Sequence, residues 1–151
     1  MNRDLELYKL LVNINILTDT EKKKEFAFRL ALSMSNDSCL IIDREDYNLV
    51  RNIGKTKFFC MLSKMLNKEG NKTVIITQTR QEAMDIKRRN KSLCVETVDR
   101  LEHILRFEKY THIIFDSVDA KAYDIIPKYI DRNKDVHMFG TLIIDFKEGE
   151  K

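Results

Sequence analysis

The chain has 151 residues and a mass of 17.9 kDa, the size of one ordinary domain able to bury a core without disulfide or metal staples. Apolar residues make up 43% and charged residues 34%, with one Pro and four Gly, which excludes long disorder, collagen-like repeats and loop-rich sandwiches. The net charge of +3 names no polyanionic partner by itself, but residues 51–100 carry 12 Lys and Arg against 5 Asp and Glu, so the basic charge sits in the middle third.

In chain order, Leu7, Leu10, Leu11, Ile14 and Leu17 recur at three- and four-residue spacings and predict an amphipathic helix over 5–17. Thr18 stands three residues before Glu21 as a capping box, and Phe26, Leu30 and Met34 carry a second apolar stripe to the Ser-Asn-Asp-Ser break at 35–38. An N-terminal helical pair over 1–38, packed on the core, is therefore expected. From residue 39 the rhythm changes to short β-rich runs: Cys39–Ile42, Tyr47–Val50, Thr73–Thr77, Leu93–Val95, His112–Asp116 and Val136–Phe139. Most are continuous apolar runs, as strands covered on both faces require. Helices are predicted between them at 56–67, 80–89 (capping box Thr79 and Glu82), 98–107 and 120–131, the last kinked or ended by Pro127. Alternating strands and helices predict a three-layer α/β fold over 39–151, with a mostly parallel central sheet.

The N-terminus lacks the basic, apolar and small-residue order of a signal peptide. No apolar run approaches the roughly 18 residues needed to cross a bilayer. Cys39, Cys60 and Cys94 are odd in number, widely spaced and set among apolar neighbours, which predicts small buried thiols in a reducing compartment. These features together predict a cytoplasmic protein that engages no membrane. His103, His112 and His137 share no ligand spacing and read as core or strand-end residues.

The strongest local signal is Gly54-Lys55-Thr56, placed where a strand gives way to a helix. Phosphate binding needs a glycine for close approach, free amides at a helix N-terminus, a lysine for the terminal phosphates and a hydroxyl for magnesium. The first glycine of the full G-x-x-x-x-G-K-[ST] pattern would fall on Leu49. About 60 residues on, the apolar run His112-Ile113-Ile114-Phe115 ends in Asp116, the arrangement of a carboxylate that anchors magnesium beside such a loop.

With these residues the chain resembles the phosphate-loop (P-loop) NTPases that carry an additional catalytic strand and glutamate, and among them the ATPase domain of phage terminase large subunits, the DNA-packaging motors. Those motors use a loop of the type R-x-x-G-K-[ST], and Arg51-Asn52-Ile53-Gly54-Lys55-Thr56 is such a stretch. The likeness runs through Val74-Ile75-Ile76-Thr77, Val95-Glu96-Thr97-Val98-Asp99-Arg100-Leu101 and Asp116 to Phe139-Gly140-Thr141, covering about residues 47–142. DEAD-box-type helicase cores share the order more distantly. The resemblance implies a P-loop NTPase-like domain that binds ATP and Mg2+. It implies that Asn52, Ile53, Gly54, Lys55 and Thr56 cradle the phosphates, that Lys55 contacts the β and γ phosphates, and that Thr56 and Asp116 hold magnesium. It further implies that Arg51 senses the terminal phosphate and that Thr141 reads its presence.

Two departures stand out. The glutamate that polarises water in the family directly follows the magnesium Asp, and here that position is Ser117. A serine accepts no proton at neutral pH, and losing a positioned base costs about 10² to 10⁴ in rate. Asp119 is the substitute the sequence offers. The 151 residues also leave no space for the nuclease domain of a packaging enzyme. Tyr47 is the one candidate for an adenine clamp.

The primary expectation is an ATP-binding, ATP-hydrolysing domain, with Lys55, Arg51 and Asp119 as catalytic residues. The alternative is a catalytically impaired relative that acts as a nucleotide-binding or protein-interaction module. A small kinase shares the loop but requires arginine-bearing lid segments that are not visible here. Partners expected on the packaging reading are double-stranded DNA, met through the basic middle third, and other phage packaging proteins, in host cytoplasm, with an oligomer able to supply missing groups. Lys87, Arg88, Arg89 and Lys91 cluster at a helix end, where they also complement the helix dipole. With Arg80 they would meet phosphates rather than base edges.

Overall fold

The computed structural model describes residues 21–49 and 54–144. Helix 5–17, Thr18, Arg51, Asn52 and Ile53 lie outside the described residues. The described elements are α1 (Glu21–Ser35), β1 (Cys39–Asp43), α2 (Arg44–Leu49), α3 (Lys55–Lys68), β2 (Thr73–Thr77), α4 (Arg80–Arg89), β3 (Val95–Thr97), α5 (Leu101–Phe107), β4 (His112–Asp119) and β5 (His137–Ile144). Short 3-10 turns at Val98–Arg100, Ala120–Asp124 and Ile126–Tyr129 complete the path.

The five strands form one sheet in the order β1-β5-β4-β2-β3, and every pairing is parallel. Four of the β-rich runs identified in the sequence form strands of this sheet, and two expectations are corrected. Of Leu93–Val95 only Val95 is in a strand, β3 running Val95–Thr97, because Leu93 closes a turn in which its amide donates to the Asn90 carbonyl at 3.0 Å. Tyr47 lies in a helix, not a strand: residues 44–49 form α2, because Glu45 and Asp46 fall in a first helical turn, where acidic groups complement the dipole. The phosphate-loop candidate is thus separated from β1 by a helical turn rather than following a strand directly.

Alternation along the strands divides the core into two layers. Ile75 and Ile114 face the layer built by Phe26, Leu30 and Met34 of α1, Phe59, Leu62 and Leu66 of α3, and Ile86 of α4. Their neighbours Val74, Ile76, Ile113 and Phe115 face Leu101, Ile104 and Leu105 of α5, together with Ala122 and Ile126 of the 3-10 turns. The direction of travel accounts for this sorting. A right-handed crossover that moves toward the β3 edge must cover one face, and one that returns toward β1 must cover the other. The connections carrying α3 and α4 advance toward β3, whereas those carrying α5 and the 3-10 turns return.

The helix predicted over 120–131 forms as two 3-10 turns. Pro127 lies in the first turn of the second, where it supplies no amide and cannot continue an α-helix from the preceding turn. Asn133 fastens this region to α5, its amide donating to the carbonyls of Leu105 at 2.9 Å and Tyr129 at 2.8 Å. The predicted helix 98–107 begins as the 3-10 turn Val98–Arg100 before becoming α5. At the N-terminal edge of the sheet His112 is buried and stacks on His137 with ring centroids 4.7 Å apart, while His137 Nδ1 meets Asp37 Oδ2 at 2.8 Å. No helix among the described residues is long and apolar enough to cross a membrane.

Candidate functional site

Gly54 takes the left-handed conformation (φ 85°, ψ 18°) immediately before α3. Residues with a Cβ rarely adopt it, which gives the glycine at this position its reason. Its carbonyl accepts from the Phe58 amide at 2.9 Å, and no side chain among the described residues caps the helix. The first amides of an α-helix have no partner within it, so those at Lys55, Thr56 and Lys57 face outward beside a positive dipole end.

The first two side chains of α3 reach across to the C-terminal half of β4. Lys55 Nζ donates to Asp116 Oδ1 and to Ser117 Oγ in short contacts, and Thr56 Oγ1 donates to Asp116 Oδ2 at 2.8 Å. Lys55 is 9% exposed and Asp116 4%, so this is a buried ion pair whose carboxylate has both oxygens engaged. The Lys55 ammonium also lies 5.4 Å from the Phe59 ring centroid. Three residues separated by about 60 positions in the chain are therefore one cluster.

On a regular strand Asp116 and Ser117 would point to opposite faces. Both meet Lys55 because β4 is irregular here. The β4–β5 register shifts between Phe115 and Val118, and Ser117 sits at φ 59°, in the left-handed region. Across the irregularity stands Gly140 of β5, at φ 132°. A Cβ placed on it would come 2.1 Å from the carbonyl oxygen of Phe115. Only glycine lets the two backbones approach this closely. Nothing in the sequence pattern of the strand points to the bulge, which places Asp116 and Ser117 opposite the single residue Thr141 once Phe115 is paired with Gly140.

Thr141 follows Gly140, is fully buried, and its hydroxyl has no hydrogen-bond partner among the described residues. A buried hydroxyl without a partner is uncommon, and its place in the strand adjoining the Asp116 bulge brings it to the same part of the sheet. Asp119 ends β4, and one of its carboxylate oxygens accepts from the Lys121 amide at 3.1 Å. Its own amide donates to Gln78 Oε1 at 2.9 Å. No hydrogen bond or ion pair joins Asp119 to Lys55, Thr56 or Asp116 among the described residues. Tyr47, the adenine-clamp candidate, is half-buried in α2 and packs against the core layer of α1 and α3.

Thr56 and Asp116 open onto a cleft of about 640 Å³ between α3 and α4, walled also by Lys57, Cys60, Glu82 and Ile86. Burial pushes the Cys60 thiol above its usual range, with Asp116 adding to the effect and Lys64 opposing it. Glu82, half of the capping box that opens α4, also lines the cleft, a position its spacing in the sequence does not signal. Thr79 Oγ1 accepts from the Glu82 amide at 3.2 Å, the N-cap half of that box, and donates to Glu82 Oε1 at 2.9 Å. Partial burial raises the Glu82 carboxyl above the ordinary range and the Asp116 charge adds to this, while Thr79 and the Lys55 ammonium pull the other way.

Lys87, Arg88 and Arg89 occupy the exposed last turn of α4, and Arg88 is paired with Asp85 at 2.7 Å. The three cysteines are free thiols; Cys60 is buried as expected, whereas Cys39 and Cys94 are only partly buried, at the margin of the layer formed with α5. No protein-family model and no curated protein matches this chain.

Proposed function

We propose that this chain is a nucleoside-triphosphate-binding domain that takes magnesium ATP at the start of α3, in the manner of the P-loop ATPases it resembles. The observation that carries the reading is the convergence of Lys55 and Thr56 on Asp116, beside the left-handed Gly54 and the uncapped first turn of α3. The residues suit the groups they would hold. A hydroxyl and a carboxylate are hard oxygen donors of the kind magnesium takes, together with phosphate oxygens and water. Lys55, paired here with Asp116 and Ser117, would supply its ammonium to the β and γ phosphates, and Asp116 with Thr56 would hold the metal. On this reading Arg51, Asn52 and Ile53, which lie outside the described residues, would belong to the phosphate loop, Arg51 as sensor of the terminal phosphate, and the Thr141 hydroxyl, without a partner among the described residues, would gain one if phosphate occupancy shifted the β5 strand.

Bound magnesium ATP supplies an electrophilic γ phosphorus. The chain supplies the charge that stabilises it and the shell that orders it. Hydrolysis coupled to movement of double-stranded DNA is the activity this reading favours, with the exposed Lys87, Arg88 and Arg89 as the sequence-blind phosphate contacts and phage packaging proteins as companions. A second reading, a binding module without turnover, is favoured by Ser117, whose hydroxyl is held by Lys55 where a water-directing glutamate stands in the family.

The test is thermal. Millimolar magnesium ATP is expected to raise the melting temperature of the native chain, and Lys55→Ala, compared with its own lower baseline, is expected to lose that rise. A native chain whose melting point ignores nucleotide defeats the proposal. Phosphate release by the native chain then separates the ATPase from the module.

A further inference from the structure

We infer that Glu82 is the carboxylate that activates water in this site, replacing the acid that Ser117 does not provide. The inference rests on the nucleotide reading above and adds to it a residue from a different element than the one the family uses.

Three observations lead there. The first is register. Thr77, the last residue of β2, pairs with Asp116 of β4, so the chain leaving β2 starts beside the metal-anchoring carboxylate. Two residues later Thr79 caps α4, and Glu82 lies in the first turn of that helix. The second is shared space. Glu82 stands on the wall of the same open cleft as Thr56 and Asp116, a volume that admits water and part of a phosphate group. The third is orientation: the Thr79 hydroxyl donates to Glu82 Oε1 at 2.9 Å and so holds the carboxylate in place at the start of α4. Asp119, the acid suggested by the sequence, caps a 3-10 turn instead.

The step balances without a further reactant. Water oxygen forms the new bond to the γ phosphorus and the bond to the β–γ bridging oxygen breaks, its electron pair leaving with ADP. Glu82 takes the proton that the water loses, then returns it to solvent or to the released phosphate.

The structural role of Glu82 can be separated from this one, because glutamine serves equally at the third position of a capping box. Glu82→Gln is expected to fold with nearly native stability and to keep the melting-temperature rise with magnesium ATP. Its phosphate release is expected to fall about 100-fold or more, the range for loss of a positioned base. After incubation and desalting, the native chain should retain ADP and Glu82→Gln should retain intact ATP, a readout of bound nucleotide independent of turnover rate. Asp85→Asn, one helical turn further along the cleft and paired with Arg88, should release phosphate at close to the native rate. The inference is overturned if Glu82→Gln hydrolyses like the native chain, if Asp85→Asn is equally slow, or if the native chain binds magnesium ATP and never cleaves it. A native chain that binds no nucleotide removes the nucleotide reading itself and this inference with it, an outcome the binding measurement distinguishes from the others.

Discussion

Gly140 and Ser117 show how single residues shape the cluster. The bulge that turns Asp116 and Ser117 toward Lys55 needs the β5 backbone to lie against the Phe115 carbonyl, and a methyl group there would overlap it. Gly140→Ala combines that overlap with a positive φ, so it is expected to destabilise the fold by about 3 kcal/mol, read as a lowered urea midpoint. Cys39 tests burial at the same scale. Desolvation pushes its thiol up to about 12, with the Tyr123 hydroxyl opposing in part. Burial disfavours the thiolate, so raising the pH from 7 to 9 should leave native Cys39 almost unreacted toward iodoacetamide, whereas the same residue in urea reacts readily as its ordinary titration is approached. Peptide mapping of the alkylated chain distinguishes the two results.

At the scale of elements, α3 and α4 begin in different ways. α3 starts from a glycine, with no side-chain cap among the described residues. α4 is closed by Thr79, whose hydroxyl accepts the Glu82 amide. Thr79→Ala is therefore expected to cost about 1 kcal/mol of folding stability, and Thr79→Ser much less, in paired urea titrations. A neutral outcome for alanine would mean that the cap contributes nothing to α4. Further evidence that α3 is a structural anchor comes from its far side, where Ser63 and Thr73 share a short buried hydrogen bond and Asn67 accepts from the Thr73 amide at 3.2 Å. The loop-bearing helix is thereby tied to β2, whose other end lies beside Asp116.

For the whole molecule, the all-parallel sheet with both faces covered sets where stability resides. β5, β4 and β2 are interior strands, and Ile75, Ile76, Ile114 and Phe115 are all fully buried. Hydrogen exchange is expected to be slowest at the amides of these four residues, opening only with global unfolding, and faster in the edge strand β3 and the 3-10 turns. Equal protection across β3 and β4 would contradict this ordering. The same architecture explains the position of the candidate site. Parallel strands bring their C-terminal ends to one rim, where side chains from α3, the end of β4 and the start of α4 meet.

Much of this architecture was readable from periodicity and punctuation. The apolar runs at 73–77 and 112–116, the stripe Phe26-Leu30-Met34 and the capping residue Thr79 each depend on local spacing, and local spacing survives folding unchanged. Lys55, Thr56 and Asp116 stood out for a similar reason, as residue types placed near a helix start and in the second half of an apolar run, and the structure brings their side chains together. Tyr47 was misread because its β propensity in a six-residue segment weighs less than the two acidic residues that open a helical turn. The bulge at Ser117, the clash reserved by Gly140 and the approach of Glu82 to the cluster depend on which strands lie side by side, so they became visible only when β2, β4 and β5 were paired. A one-dimensional pattern records which residues are present and how they are spaced; the packing of distant backbones decided which of them can act together.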